Sequence, residues 1–334
     1  MRALLAAAAC VEVLLASAAL ADETEPQCGT VTEAELNWAS AGIAAWVDKL
    51  IMENGYGCTV DLVEGNTDST LSSITSEATP DIIPEFWYEG ASPELDEAVA
   101  DQRVAFAAAL LSEGGVQGWW MPKFLADANP EITTVQRALD HPELFPGPDG
   151  SSDATVYNCP PGWTCHISTE NLFRALGGKD KGFTLLDAEN GLGLEQSIAH
   201  AFEEKVGWLG YYWAPTAILG KYEMVKLSFG IEFDKGEWDR CTIVPDCPDP
   251  NLNAYPVSAV YTLVTGEFVS AHPALMDYLN ARSWDNRTIS SVLAWMEDND
   301  ANNEAAARYF LENHPELWKS WLPEDVAAKV DAAL

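Results

Sequence analysis

Between Glu35 and Val63 the chain reads strand, helix, strand, and this run constrains the fold more than any other stretch. Glu35-Leu36-Asn37-Trp38 closes an extended segment. Ile43, Trp46, Val47, Leu50 and Ile51 then recur at helical spacing, Gly55 and Gly57 stop the helix, and residues 59–63 are extended again. A β-α-β unit of this kind builds a parallel sheet covered by helices, because the crossover returns with a fixed hand over one face. The alternation continues through a helix over 67–77 and a strand over 81–87. Trp87 and Tyr88 therefore sit just past the carboxyl end of a strand, where open α/β sheets place their ligands.

Extended segments over 104–111 and 116–121 follow, the second ending in Gly118-Trp119-Trp120-Met121-Pro122, and near Pro122 the chain crosses into a second lobe. That lobe holds a helix near 133–139, a turn-rich run over 145–153, a helix over 194–206, and a strand over 208–213 that Pro215 closes and that carries Trp213 at its end. A proline-rich excursion spans 241–256. A strand over 257–264 and helices over 273–281, 289–298 and 304–313 then return, so the C-terminal part is expected to pack on the first lobe. The expected division is a leader over 1–21, lobe 1 over 22–118, lobe 2 over 119–257, and a return to lobe 1 over 258–334. There is no internal repeat.

The stretch Asn158-Cys159-Pro160-Pro161-Gly162-Trp163-Thr164-Cys165-His166 stands apart. Its prolines and glycine bend the backbone toward a ring that Cys159 and Cys165 can close, and such a ring holds Trp163 outward. An aromatic on a stapled loop gains little as a core residue but makes a pre-organised wall for a ligand. A plain disulfide hairpin with an incidental Trp is the competing reading.

The chain has 334 residues, and its Lys+Arg 18 against Asp+Glu 52 give a net charge of −34. A surface this negative repels nucleic acid and favours a cationic or zwitterionic partner; adaptation to a salty medium explains it equally. Arg2, a short apolar run and Ala19-Leu20-Ala21 before Asp22 read as an export signal, which predicts a periplasmic protein, expected to be monomeric. Of seven cysteines Cys10 leaves with that leader, and six remain, as an oxidising compartment favours. Cys159 with Cys165 and Cys241 with Cys247 are local pairs, which leaves Cys28 with Cys58. Zinc fits poorly, since there is no C-x-x-C and the histidines are scattered. His166 after Cys165 also lacks the C-x-x-C-H pattern of a haem site.

Several of the 13 tryptophans fall where sheet ends and loops meet: Trp87, Trp119, Trp120, Trp163 and Trp213. Trp is the best cation–π partner, and a box of indoles suits a quaternary ammonium, which has diffuse charge and no hydrogen to donate. Trp38, Trp46, Trp208, Trp238, Trp284, Trp295, Trp318 and Trp321 read as packing.

Phe86-Trp87, Cys159-x-Pro161-Gly162-Trp163-x-Cys165, Tyr211-Tyr212-Trp213-x-Pro215 and Tyr255-Pro256-Val257-Ser258 occur in an order and at separations that resemble the glycine betaine/proline betaine binding proteins of ABC importers. The resemblance covers nearly the whole chain after the leader. It implies the α/β, two-lobed periplasmic binding protein fold of type II kind with the ligand cleft between lobes. It also implies a cage of Trp87, Trp163 and Trp213, with the backbone N–H groups of Thr164 and Cys165 facing a ligand carboxylate. Related choline binders suggest a further wall from Trp119 and Trp120 or from Trp38. Where relatives carry a carboxylate-holding histidine four residues after the first cage Trp, this chain has Ala91, which leaves choline and trimethylamine N-oxide as alternatives to a betaine.

Glu85 and Glu89 flank Trp87 and read as solvated surface carboxylates that could also offer charge to a cation. Asp149 and Asp153 are weak calcium candidates, short of an EF-hand loop in spacing and ligand count, and an ordinary acidic turn is the plainer reading. There is no G-x-S-x-G, P-loop or H-E-x-x-H. The expectation is a cofactor-free binding protein that delivers a methylated amine to an ABC permease. An exported enzyme acting on such an amine is the alternative of another class, and a receptor-coupled sensor shares the same sequence features.

Overall fold

The structure, a computed structural model, describes residues 28–88, 93–148 and 153–334. The first sheet contains β1 (Thr30–Leu36), β2 (Thr59–Gly65), β3 (Ile82–Trp87) and β4 (Val104–Ala109). The second contains β5 (Val116–Pro122), β6 (Ala154–Asn158), β7 (Phe183–Asp187), β8 (Gly210–Ala214) and β9 (Met224–Lys226). The chain then re-enters the first sheet as β10 (Val260–Thr265). The orders are β2-β1-β3-β10-β4 and β7-β6-β8-β5-β9, the two-lobed α/β arrangement that the resemblance implies.

β1 pairs in parallel with β2, from Thr30 opposite Thr59 to Leu36 opposite Gly65, and the crossover between them is the helix Ala39–Tyr56. That helix forms where the stripe of Ile43, Val47, Leu50 and Ile51 predicts it, and all four side chains are buried. Gly57 ends it at φ 72°, a left-handed conformation that glycine adopts without the Cβ penalty. The first sheet is mixed rather than purely parallel. β10 returns from the other lobe and runs antiparallel to both β3 and β4.

The C-terminal helices complete the first lobe. Phe310, Trp318 and Val330 share a core with Val31, Ile51 and Val264, so more than half of this core comes from chain that follows the second crossing. In a core this close-packed, cutting Ile51 back to Ala would cost about 2–5 kcal/mol. Beneath the sheet lies a fully buried charged group: Arg282 Nε is 3.2 Å from Asp48 Oδ1, Tyr278 Oη donates to the same oxygen at 2.5 Å, and Arg282 Nη2 donates to Thr262 Oγ1 at 2.5 Å. Glu33 is buried beside them with its carboxyl against that of Asp48, and among the described residues no N–H or hydroxyl donor reaches either of its oxygens. Burial, and then the neighbouring Asp48 carboxylate, push the Glu33 carboxyl well above its ordinary range.

The two crossings run side by side. Gly115 N–H donates to Ser258 O at 2.8 Å and Ser258 N–H to Gly115 O at 3.1 Å, making a short antiparallel bridge between the lobes. The expected boundary at 118/119 falls inside β5, whose partners β8 and β9 place the whole strand in the second sheet. The crossing lies ahead of it, at Gly114 (φ 71°) and Gly115. Gly115 has to be glycine here, because a Cβ would come within 2.2 Å of the Trp87 indole.

Three disulfides join Cys28 to Cys58, Cys159 to Cys165 and Cys241 to Cys247. The leader expected over 1–21 lies outside the described residues, as do Glu89, Ala91 and Asp149. Among the described residues no helix is long and apolar enough to cross a membrane.

Candidate functional site

The site forms where four chain segments end at the cleft. Trp87 closes β3, and Trp38 follows β1 and precedes the helix Ala39–Tyr56. Trp213 lies near the end of β8, and Trp163 is the N-cap of the helix Thr164–Ala175. The four indoles line one pocket with Trp238 and Tyr211, and its polar lining is Thr67, Gln117, Thr164 and Ser168. The Trp163 ring stands edge-on to Trp38 at 5.5 Å and 72°, and to Trp213 at 5.2 Å and 81°. The space open to a water centre is about 50 Å³, several times the roughly 10–15 Å³ that one water needs.

Three of the four indoles are fixed from behind by hydrogen bonds. Glu85, fully buried in β3, accepts through Oε1 from Trp38 Nε1 at 2.8 Å, Trp87 Nε1 at 3.0 Å and Ser40 Oγ at 3.0 Å. Burial raises the Glu85 carboxyl above its ordinary range, and the donors Trp38, Trp87 and Ser40, with the Arg282 charge, oppose that rise. Trp163 donates through Nε1 to Asn37 Oδ1 at 2.7 Å, so the second lobe's indole is held by the first lobe. A second bond closes the same gap, from Asp68 N–H to Gly162 O at 3.1 Å.

The disulfide ring puts Trp163 where a helix begins. Trp163 offers no side-chain acceptor to that helix's first N–H groups, and Thr164 and Cys165 both line the pocket. Uncapped N–H groups at the start of a twelve-residue helix make a ready site for a carboxylate. On the opposite wall, Gln117 donates to Ser258 Oγ at 2.8 Å and accepts from Tyr211 Oη at 2.9 Å, which ties the pocket to the crossing between lobes.

Of the residues expected at the site, Trp87, Trp163, Thr164, Cys165, Trp213 and Trp38 share this pocket, and Trp119 and Trp120 do not. Trp119 is fully buried in the second lobe against Phe229, and Trp120 donates to Tyr212 O on the other face of the strand. The reason is direction. β5 runs antiparallel to β8 with Gln117 opposite Trp213, so it meets the cleft at its amino end, and Trp119 and Trp120 lie further from it.

Trp163 also does not point outward to solvent; it is 5% exposed, enclosed between lobes. Glu85 is an interior carboxylate, not a surface one.

Trp238, read as packing, lines the pocket, as do Gln117, Tyr211, Ser168 and Thr67. Trp238 arrives there because the Asn171 amide donates to the carbonyls of Cys241, Thr242 and Val244, pinning the proline-rich excursion onto the helix Thr164–Ala175. No sequence spacing signals that contact.

Asp153 belongs to no cluster of possible metal ligands among the described residues. The one such cluster, Cys241, Cys247 and Asp249, has both sulfurs tied in a disulfide.

Residues 29–313 match the family described as the substrate binding domain of ABC-type glycine betaine transport systems. No curated protein matches the chain. Among solved structures, an ABC-transporter choline binding protein in complex with choline has a TM-score of 0.71 at 18% identity, covering 92% of this chain and 98% of that one. A glycine betaine/L-proline binding protein from Borrelia burgdorferi gives 0.68 at 16%, covering 90% and 100%. Lactococcal OpuAC in its closed-liganded conformation with glycine betaine gives 0.65 at 15%, covering 88% and 100%. At these identities the likeness is one of fold; the family match, over most of the chain, adds that this protein belongs to the substrate-binding domains of ABC-type glycine betaine transport systems.

Proposed function

We propose that this protein is exported, captures a methylated ammonium compound between its two lobes, and hands it to a membrane permease without changing it chemically. The observation that carries this reading is the convergence of Trp38, Trp87, Trp163 and Trp213, two from each lobe, on a pocket with no Lys, Arg or His in its lining. Each indole face contributes roughly 0.5–2 kcal/mol to a desolvated cation. Three or four faces support micromolar binding, near −8 kcal/mol, only when they are pre-positioned. The bonds to Glu85 and Asn37 supply that positioning. The net charge of −34 adds long-range attraction for cations.

The proposed binding set is Trp38, Trp87, Trp163 and Trp213 for the ammonium group, with the N–H groups of Thr164 and Cys165 for a carboxylate. This favours a betaine as ligand. Choline or trimethylamine N-oxide is the second reading, because the pocket's polar side chains are all neutral and none pairs a carboxylate as a cation would. Titrating glycine betaine, proline betaine, choline and trimethylamine N-oxide in one salt condition tests both, with dimethylglycine and glycine as controls that should bind progressively more weakly. Absence of heat and of any tryptophan emission change with all four trimethylated or quaternary ligands would reject the quaternary-amine reading.

A further inference from the structure

Trp38 and Trp213 are shared walls. On their far side lies a second cavity of about 430 Å³, between the exit of β1, the helix Gly191–Glu204 and the helix Asn286–Asp298. Its apolar lining includes Leu192, Leu293 and Met296, and Leu192 is 61% exposed, unusual for a large aliphatic side chain. Its charged lining residues are Glu195, Glu297 and Asp300, all acids. Lys221, the nearby cation, is taken up by Glu297 at 2.6 Å and Asp298 at 3.5 Å. Glu195 accepts only a neutral bond, from Tyr212 Oη at 3.2 Å.

We propose that this outer cavity is a second binding site, for an organic cation with an apolar body. The indole faces and aliphatic side chains cover the body, and Glu195 with Asp300 meets the charge. The inference stands independently of what the cage binds.

The state of Glu195 gives the site a signature. Burial pushes its carboxyl up to about 7, with Tyr212 of β8 opposing, Glu297 of the helix Asn286–Asp298 adding to the rise, and Lys221 of the helix Ile218–Lys221 opposing it. A cation settling beside Glu195 favours the ionised form, so at pH 7 binding releases a fraction of a proton.

The test is calorimetric titration of benzyltrimethylammonium at pH 7 in two buffers of different ionisation enthalpy, using Trp87→Ala, which removes a wall of the cage and none of the outer cavity, and the same variant with Glu195→Gln or Leu192→Lys added. The expected result is one site in Trp87→Ala, with a fraction of a proton released per molecule bound, and at least a tenfold loss of affinity when Glu195→Gln or Leu192→Lys is added. Leu192 lies on the exposed rim, so its substitution reads the site without threatening the fold. The proposal is overturned by no binding to Trp87→Ala, by binding that releases no proton, or by binding that does not respond to Glu195→Gln and Leu192→Lys. Glycine betaine titrated into the parent, Trp87→Ala and Glu195→Gln reports separately on the cage, since its binding should need Trp87 and ignore Glu195.

Discussion

The indole N–H of Trp163 donates to Asn37 Oδ1 at 2.7 Å, and the two residues belong to different lobes. Asn37 is itself held by its backbone, whose N–H donates to Gly65 O at 3.1 Å. The bond therefore orients a cage wall and latches the lobes together. A neutral hydrogen bond of this kind contributes about 0.5–1.5 kcal/mol.

Asn37→Ala should accordingly weaken ligand binding by roughly three- to tenfold and raise the open fraction of the ligand-free protein, seen as a larger radius in small-angle scattering. Affinity within twofold of the parent, with an unchanged scattering profile, would show that the latch contributes nothing.

Alanine at Trp87, Trp163 or Trp213 should each cost at least tenfold in affinity, about 1.4 kcal/mol. Trp119→Phe is the control, because Trp119 packs in the second lobe on Phe229, away from the pocket. It should lower the unfolding midpoint and leave affinity within twofold. Calorimetry that found two of the three cage variants unchanged would mean the cage is elsewhere.

How much of this was legible from residues alone depends on the range of the interactions. The crossover helix after β1 and the strand ending at Trp87 are local patterns, and both appear where the periodicity puts them. The cysteine pairs were readable because two of them are separated by only six positions. The direction of β5 was not, since strand polarity in a sheet is set by partners almost a hundred residues away, and the same residues read from the wrong end put Trp119 and Trp120 at the cleft. Trp238 depended on Asn171 reaching carbonyls about seventy residues on. Glu85 was misread for a related reason: a lone acid in a strand reads as solvated, and only the fold brings two indole donors to it.

Glu85 also makes a prediction about ligand choice. Its carboxylate lies behind Trp38 and Trp87, where it draws on their N–H groups and leaves negative charge on the cage side of the first lobe. Glu85→Gln keeps the shape and an acceptor oxygen but removes the charge. Binding of choline, a net cation, should fall more than binding of glycine betaine, a zwitterion whose carboxylate meets the same field with opposite sign. Because burial raises the Glu85 carboxyl, the parent should also lose choline affinity as pH falls through that raised value, and the variant should not. Equal losses for the two ligands, or parallel pH profiles, would remove Glu85 from the recognition account.

Glu33 carries the corresponding prediction for stability. Its folded carboxyl titrates well above the unfolded one, first because of burial and then because of Asp48. Below the unfolded pKa both states hold the proton and nothing is lost. As pH rises above it, the unfolded chain releases a proton that the folded chain keeps, so stability falls, by up to about 1.4 kcal/mol per pH unit for one group, until the folded carboxyl ionises. Glu33→Gln cannot ionise, and any fixed cost of an unpaired amide in that site does not vary with pH. Urea unfolding at pH 5, 6, 7 and 8 should therefore show the variant losing less stability across the range than the parent, whatever their difference at pH 5. Two curves that run parallel would mean Glu33 is ionised in the folded protein, with the nearby Arg282 charge outweighing the repulsion from Asp48.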